Sequence, residues 1–376
     1  MFRRQTPDSP SPQFACVIGA GISGSSTARA LAELGWHVTV IDCGHFGASS
    51  LPLGLISPHT SKDDGALSQL SRLGMDRMRV AMRTYLLEGV DWSPSGVMTY
   101  PRTGPVSDTN TVWHPDAAWI KPAALTRALL AHPLIQVIRD TVVDGLRFDM
   151  QTQSWLVFNS DTCLTQAEHV VLAAGPGCGA QALKTDSTPP FDAIRGQVTW
   201  GLMAQTAHAP WPANPINGRG SFVPHVPTLE GNAWFLGSTY DRLRTDVGVT
   251  EEDHAFNVHR LAELFPETAS ALAPLVYSDS VRGWVGVRCT LHDRLPFVGS
   301  VAAAAHGLWI NSAMGSRGLT LGLLCSEILV ALMTKHPPPV ATNLVRAISS
   351  HRFIKKAWAK MQRNDQASGI PPRRDA

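Results

Sequence analysis

Charge is scarce in this 376-residue sequence: 16% of residues are Asp, Glu, Lys or Arg, and they leave a net charge of only +2. A balance so close to neutral excludes a chain-wide field for capturing nucleic acid, so any basic surface must be local. Cysteine is sparse too. Cys16, Cys43, Cys163, Cys178, Cys289 and Cys325 are scattered and never form CxxC, which argues against a zinc site and against a disulfide framework. No HxH or other His/Asp/Glu cluster has metal spacing. We therefore expect no metal and a reducing, cytoplasmic setting. Long apolar runs are missing as well: Leu321 to Met333 is interrupted by Glu327, and the N-terminal MFRRQTPDSPSPQ lacks the apolar core of a signal peptide. The expectation is a soluble protein, not exported and without a membrane partner. No repeat and no low-complexity block occurs beyond short proline-rich ends, Pro337 to Pro339 included.

What the sequence does contain is a dinucleotide-binding signature. From Phe14 to Asp42 it reads FACVIGAGISGSSTARALAELGWHVTVID: an apolar run, three spaced glycines, a helical stretch, and a second apolar run ending in an acid. A strand that feeds a helix through a glycine turn aims unpaired helix N–H groups at a pyrophosphate. Gly19 makes the tight turn, Gly21 leaves room for the phosphates, and Gly24 lets the helix pack on the strand. Ile22 and Ser23 lie in the same turn, and Asp42 stands where a carboxylate can accept ribose hydroxyls, favouring FAD or NAD over NADP.

A chain of this length with 44% apolar residues can bury one large or two ordinary cores, and two interleaved domains are expected. Ser68 to Leu87 and Trp119 to Ala131 read as helices. Residues 133–169 read as a strand followed by a small antiparallel crossover sheet, and the fully apolar VVLAAGPG after His169 as a buried parallel strand whose Gly175 and Gly177 let a ligand approach. Between Arg195 and Val287 the runs are longer and antiparallel in character, with a helical insert near Glu251 to Phe265. A last strand at 307–313 enters a second glycine turn that opens a long helix. Dinucleotide-type sequence thus stands at both ends, and the expected layout is discontinuous: 14–75, 118–193 and 282–350 form an FAD-binding domain, 76–117 and 194–281 a substrate domain, and 351–376 a basic helix and tail. In that helix Phe353, Ile354, Ala357, Trp358 and Met361 fall on one face, with Lys355, Lys356, Lys360 and Arg363 on the other. It reads equally as a nucleic-acid surface or as a docked terminal helix.

Beyond the fingerprint, Gly47-Ala48-Ser49-Ser50, the segment SPHTSKDDGALSQLS, Arg195-Gly196-Gln197, Gly237 to Asp241 (GSTYD), Val287-Arg288-Cys289 with DRLP at 293–296, and Gly315-Ser316-Arg317-Gly318 resemble the D-amino-acid oxidase, glycine oxidase and sarcosine oxidase superfamily of FAD enzymes. The RGQ, TYD and GSRG blocks are most similar to its tRNA-modifying branch, the oxidase domain of bifunctional tRNA 5-methylaminomethyl-2-thiouridine biosynthesis proteins. No segment resembles the methyltransferase domain of those proteins, so the resemblance implies that such a step is supplied elsewhere. The fold implied is α/β, an FAD-binding Rossmann-like domain with an interleaved antiparallel-sheet substrate domain.

The resemblance implies that FAD, noncovalently held, is the redox agent and that the protein positions a C–H bond against it. Gly19, Gly21, Ile22, Ser23, Gly24, Asp42, Ser49, Ser50, Gly175, Gly315, Ser316, Arg317, Gly318 and Leu319 are the implied cofactor residues. Arg288 falls where such enzymes bind the substrate carboxylate, a task that suits a guanidinium fork; the competing reading is a structural ion pair with Asp293. Arg317, at a helix start, either stabilises negative charge beside the flavin and reaches the substrate or caps its own turn. Tyr240 either contacts substrate or is a core tyrosine, and His59 reads as a satisfied polar residue rather than a base. The reaction implied is oxidation of a glycine-like secondary amine, the imine then being hydrolysed by water and dioxygen reoxidising the flavin. The substrate implied is the 5-carboxymethylaminomethyl group of a tRNA wobble uridine. Two alternatives stand beside it: an oxidase or dehydrogenase of free glycine, sarcosine or a D-amino acid, and a non-catalytic flavin-binding protein.

Overall fold

Two sheets organise the structure, a computed structural model that describes residues 12–44, 47–59, 61, 63–107, 109–179, 191–206, 208–242, 244, 246–301 and 306–353. In chain order the strands are β1 (Phe14–Ile18), β2 (His37–Ile41), β3 (Gly54–Ile56), β4 (Trp92–Ser93), β5 (Val97–Thr99), β6 (Val112–His114), β7 (Ala118–Ile120), β8 (Ile135–Ile138), β9 (Gly145–Asp149), β10 (Ser154–Asn159), β11 (Thr162–Ala167) and β12 (His169–Leu172). They continue with β13 (Asp192–Leu202), β14 (Ile216–Asn217), β15 (Ser221–Thr228), β16 (Gly231–Gly237), β17 (Val281–Thr290), β18 (Phe297–Ser300) and β19 (Leu308–Ser312). The helices are α1 (Ile22–Glu33), α2 (Ala66–Tyr85), α3 (Pro122–Leu130), α4 (Glu251–Ala262), α5 (Pro266–Leu272), α6 (Gly318–Met333) and α7 (Thr342–Ile348).

The first sheet has the order β18-β19-β12-β1-β2-β8, parallel except at the β18 edge. Its central strands β1 and β12 are apolar but for His169, because both faces are covered. Val17, Val40 and Val171 pack with α1 and α6, while Cys16, Val170 and Leu172 pack with Trp155 and Val157 of the three-stranded crossover sheet β11-β10-β9. Small residues on α1 let it approach α6 closely, and a buried polar knot ties the two: Thr27 Oγ1 and Ser326 Oγ lie 3.0 Å apart, and Asn311 Nδ2 donates to both.

The second sheet has seven strands in the order β17-β13-β16-β15-β14-β5-β6. One face is covered by α4 and α5 through Trp234, Leu236, Val258, Leu261 and Leu272. The other carries Val198, Trp200, Phe235 and Trp284 against Leu51, Leu53, Leu55 and Trp119 of the β3-β7-β4 segment.

Most elements read from the sequence appear at the expected places: the βαβ unit, the crossover sheet, the buried strand after His169, the antiparallel run and the glycine turn before α6. One helix is shorter than expected. Trp119 and Ile120 lie in β7, and α3 begins only at Pro122, because a proline disfavours helical backbone in the residue before it and Lys121 is extended. The stretch Gly315–Met333, contrary to the reading around Glu327, is long and apolar enough to cross a membrane by length and composition. Here it is mostly buried within the protein, packed against α1 and α2, and Glu327 reaches Arg77 of α2 at 2.8 Å. The basic stretch expected to form a terminal helix lies outside the described residues from Ile354 onward.

Candidate active site

Four neighbouring parallel strands, β19, β12, β1 and β2, send their carboxyl ends to one edge of the first sheet. Such an edge is where open α/β sheets take their ligands. It gathers Gly315–Gly318 after β19, Gly175 after β12, Gly19–Gly24 after β1 and Asp42 after β2.

The glycines do there what the fingerprint requires. Gly19 has φ +105°, and a Cβ on it would come within 2.6 Å of the Ala173 carbonyl oxygen. A Cβ on Gly24 would overlap the Gly19 carbonyl oxygen, so only glycine lets α1 pack on its own turn. Gly21 is different: its missing Cβ would meet only the Ser49 side chain, Oγ at 3.1 Å and Cβ at 3.7 Å, which leaves an open cradle over the first turn of α1. That turn has no acidic residue, so its dipole is free for an anion. Asp42 braces the loop, accepting from the Ala20 and Gly44 N–H groups at 2.7 and 2.9 Å. Ser49 Oγ accepts from the Ile22 N–H at 2.9 Å, whereas Ser50 Oγ turns back to the Gly47 carbonyl.

Two of the expected contact residues offer less to a ligand. The Ile22 side chain packs on Gly318 and Gly322 of α6 and its N–H is taken by Ser49. Leu319 packs over Gly54 in an apolar cluster with Ile22 and Ile56. Ser23, Ser316 and Gly318 remain in the turns at the same edge.

Arg288, Arg317 and Tyr240 come together beside this edge. The Arg288 side chain leaves β17 and donates to Ser238 Oγ and to the Thr239 carbonyl, the latter at 3.5 Å. Among the described residues no carboxylate lies within 4 Å of it. Asp293, the rival partner, is held instead by Arg352 through two bonds of 2.8 and 3.1 Å. The Arg288 guanidinium lies 5.9 Å from the centre of the exposed Tyr240 ring, and burial holds its pKa below the ordinary arginine value. Arg317 Nη2 donates to His59 Nδ1 at 3.2 Å, so the side chain leaves its own turn. Its pKa is lowered by burial and then by the neighbouring charges of Arg102 and Arg294. His59 is likewise held below its usual value, first by burial, then by Arg317 and Arg102. An arginine only donates, so the imidazole accepts at Nδ1 and carries its proton on Nε2. The result is a cluster of positive charge from Arg317, Arg102 and Arg294 around a neutral histidine, with Asp63 the weakest of the influences on it, an arrangement suited to an anionic group.

Sequence reasoning missed what holds Arg288. A Cβ on Gly196 would overlap Arg288 Nη1 and stand 2.6 Å from Nη2, so the bare Cα of β13 is the floor under the guanidinium. The RGQ pattern marked the position without saying why it is glycine. Its arginine is structural: Arg195, fully buried, bonds Asp253 at 2.6 Å and the Gly248 carbonyl at 2.5 Å and so fixes the segment that enters α4. Among the described residues no group of three or more His, Cys, Asp or Glu side chains is placed to hold a metal ion.

Comparison with known proteins agrees with this geometry. The FAD dependent oxidoreductase (DAO) family matches residues 15–110 and 102–332. The tRNA 5-methylaminomethyl-2-thiouridine biosynthesis bifunctional protein MnmC of Paracidovorax citrulli is 38% identical over 91% of this chain and 61% of its own length. Its counterpart in Polaromonas naphthalenivorans is 38% identical over 92% and 60%. The chain thus spans about 60% of the length of these relatives. Glycine oxidase from Geobacillus kaustophilus shares the fold, with a TM-score of 0.70 at 19% identity over 89% of this chain and 97% of that one. The glycine cradle, the acid at the end of β2 and a match that covers most of the sequence lead to one assignment: the chain belongs to the DAO family of FAD dependent oxidoreductases.

Proposed function

We propose that the chain oxidises a C–N bond of a glycine-like secondary amine, and that its substrate is the 5-carboxymethylaminomethyl group of a tRNA wobble uridine. The observation that carries this reading is the Arg288 guanidinium, which has no acidic partner among the described residues because Asp293 is committed to Arg352. A half-buried arginine without an acid is costly unless a ligand supplies one. The tRNA part rests on relatives named for tRNA 5-methylaminomethyl-2-thiouridine biosynthesis.

Gly19, Gly21, Ser23, Gly24, Asp42, Ser49, Gly175 and the turn Gly315–Gly318 would hold FAD, within a domain formed by 14–75, 118–193 and 282–350. FAD, when bound, supplies the two-electron acceptor for the C–N bond. The substrate domain, 76–117 and 194–281, would contribute Gly196, Ser238 and Tyr240. The Arg288 fork takes the carboxylate and fixes the neighbouring carbon in one orientation. Arg317 places a positive charge at the mouth of α6, and His59, kept neutral, offers its Nε2 proton as a donor. Tyr240, its ring 5.9 Å from the Arg288 guanidinium, would add a hydroxyl beside the carboxylate. Hydrolysis of the imine by water gives the aminomethyl uridine and glyoxylate. Dioxygen is the proposed final acceptor and the cytoplasm the proposed compartment.

The test is anaerobic mixing of the FAD-loaded protein with tRNA bearing the carboxymethylaminomethyl group, and separately with glycine and with sarcosine. Bleaching of the flavin absorbance by the tRNA is the expected result. Bleaching by a small amine alone would replace the tRNA reading with a free amine oxidase, and bleaching by none would leave a flavin-binding protein without this activity.

A further inference from the structure

Gly196 of β13 and Gly286 of β17 are direct partners in the register of the seven-stranded sheet. Both face the same side, because Arg288, Gly286, Trp284 and Arg282 alternate onto one face of β17. The pair makes a notch without a Cβ on either strand. The Arg288 guanidinium fills it over Gly196, and the Trp284 indole fills it over Gly286, where a Cβ would overlap Cη2 and stand 2.6 Å from Cζ2. A partly exposed tryptophan therefore sits beside the carboxylate anchor. The indole also packs in the cluster that contains Leu51, Leu53 and Leu55. Those residues follow Ser49 directly, and Ser49 bonds the first turn of α1, so the tryptophan bridges the anchor and the dinucleotide edge.

We propose that Trp284 is the stacking platform for the pyrimidine base whose arm carries the carboxylate bound by Arg288. This rests on the tRNA reading above. The dimensions agree. Partners across an antiparallel pair stand about 5 Å apart. The four bonds from the pyrimidine ring through CH2–NH–CH2 to the carboxylate carbon span roughly 5 Å when extended. A base over the indole thus puts its carboxylate over the neighbouring guanidinium. Aromatic stacking is indifferent to which base edge is presented but demands a ring, so the platform separates a nucleic-acid substrate from a free amino acid of the same head group.

The experiment compares Trp284→Ala and Trp284→Phe with the wild-type holoprotein, using two probes. One is anaerobic flavin reduction by tRNA bearing the arm; the other is the binding of glycolate, a bare carboxylate, read from the flavin absorbance. Trp284→Ala is expected to lower kcat/KM on the tRNA roughly 5- to 150-fold, the equivalent of about 1–3 kcal/mol of stacking. Glycolate affinity and FAD content should stay within twofold, and Trp284→Phe should recover most of the loss. Equal losses on both probes would make the tryptophan merely structural and overturn the proposal. So would an unchanged rate on tRNA. Wild-type protein that is not reduced by the tRNA would overturn the substrate reading and the platform together, whereas active wild type with a neutral Trp284→Ala overturns the platform alone.

Discussion

Gly196→Ala tests the floor under Arg288 with a single methyl group. The glycine sits in β13 without a left-handed φ, so alanine costs nothing in backbone conformation; its Cβ must instead displace what occupies its place. The occupants are Arg288 Nη1 and Nη2 and, at 2.7 Å, the Thr239 carbonyl oxygen. Restoring ordinary contact moves the guanidinium by roughly 1 Å, a displacement able to cost on the order of 100-fold in rate. Loss of one charge-assisted bond to the carboxylate, about 1.5–3 kcal/mol, gives a similar figure of roughly 10- to 150-fold in kcat/KM. Arg288→Ala, which removes the anchor, should cost about 2–5 kcal/mol. The decisive assay is the double-mutant cycle. If Gly196 acts only through the guanidinium, adding Gly196→Ala to Arg288→Ala changes kcat/KM by less than about twofold, a strong coupling. An undiminished effect in the Arg288→Ala background would refute the reasoning and assign the damage to the Thr239 carbonyl. FAD content and melting temperature, measured on all four proteins, keep a folding defect from being mistaken for coupling.

Gly21→Val should yield colourless protein that FAD does not restore, because the branched side chain fills the cradle beside Ser49; retention of a stoichiometric flavin spectrum would show that the phosphates lie elsewhere. Asp293→Ala should leave kcat/KM within twofold while lowering stability by about 1–3 kcal/mol in a denaturant titration, since it strips the carboxylate from Arg352 and not from Arg288; a large loss of activity would restore Asp293 as a partner of Arg288. His254 and His59 are both held below the usual histidine value, chiefly by burial. In acid the unfolded chain then binds protons that the folded one refuses, so stability is complete above about pH 6.5 and falls as pH drops toward the folded values. The melting temperature should therefore decline between pH 7 and 5, and His254→Gln, which leaves the Thr199 hydroxyl a polar neighbour, should flatten that decline; an unchanged slope would exclude His254 as its source.

Local chemistry made the first sheet legible, since a glycine turn, an apolar strand buried on both faces and an acid at fixed spacing each leave a mark in consecutive residues. Trp119 and Ile120 were misread because an apolar run beside a helix has no period of its own, and only pairing with β3 and β4 makes it a strand. The candidate site could be named by residue and not by arrangement. Arg288 could be named, but its choice between Asp293 and a ligand depended on Arg352, far along the chain, taking the acid. Gly196 carried no signal of its role, because what it makes room for arrives from a strand about 90 residues later. The His59 and Arg317 contact spans the same kind of gap, its ends lying 258 positions apart.

The strand order of the first sheet has a consequence for how the protein is made. β1, with the glycine turn at its end, is flanked by β2 and by β12, and β12 in turn waits for β19, which emerges from the ribosome roughly 290 residues after β1. At about 5–20 residues per second, the fingerprint turn is exposed for some 15–60 s before the opposite wall of the cleft exists. The apolar α6, which covers the same sheet, is later still. Flavin capture therefore waits until both walls of the cleft have been made, and one apolar face of the parallel sheet stays uncovered until α6 follows.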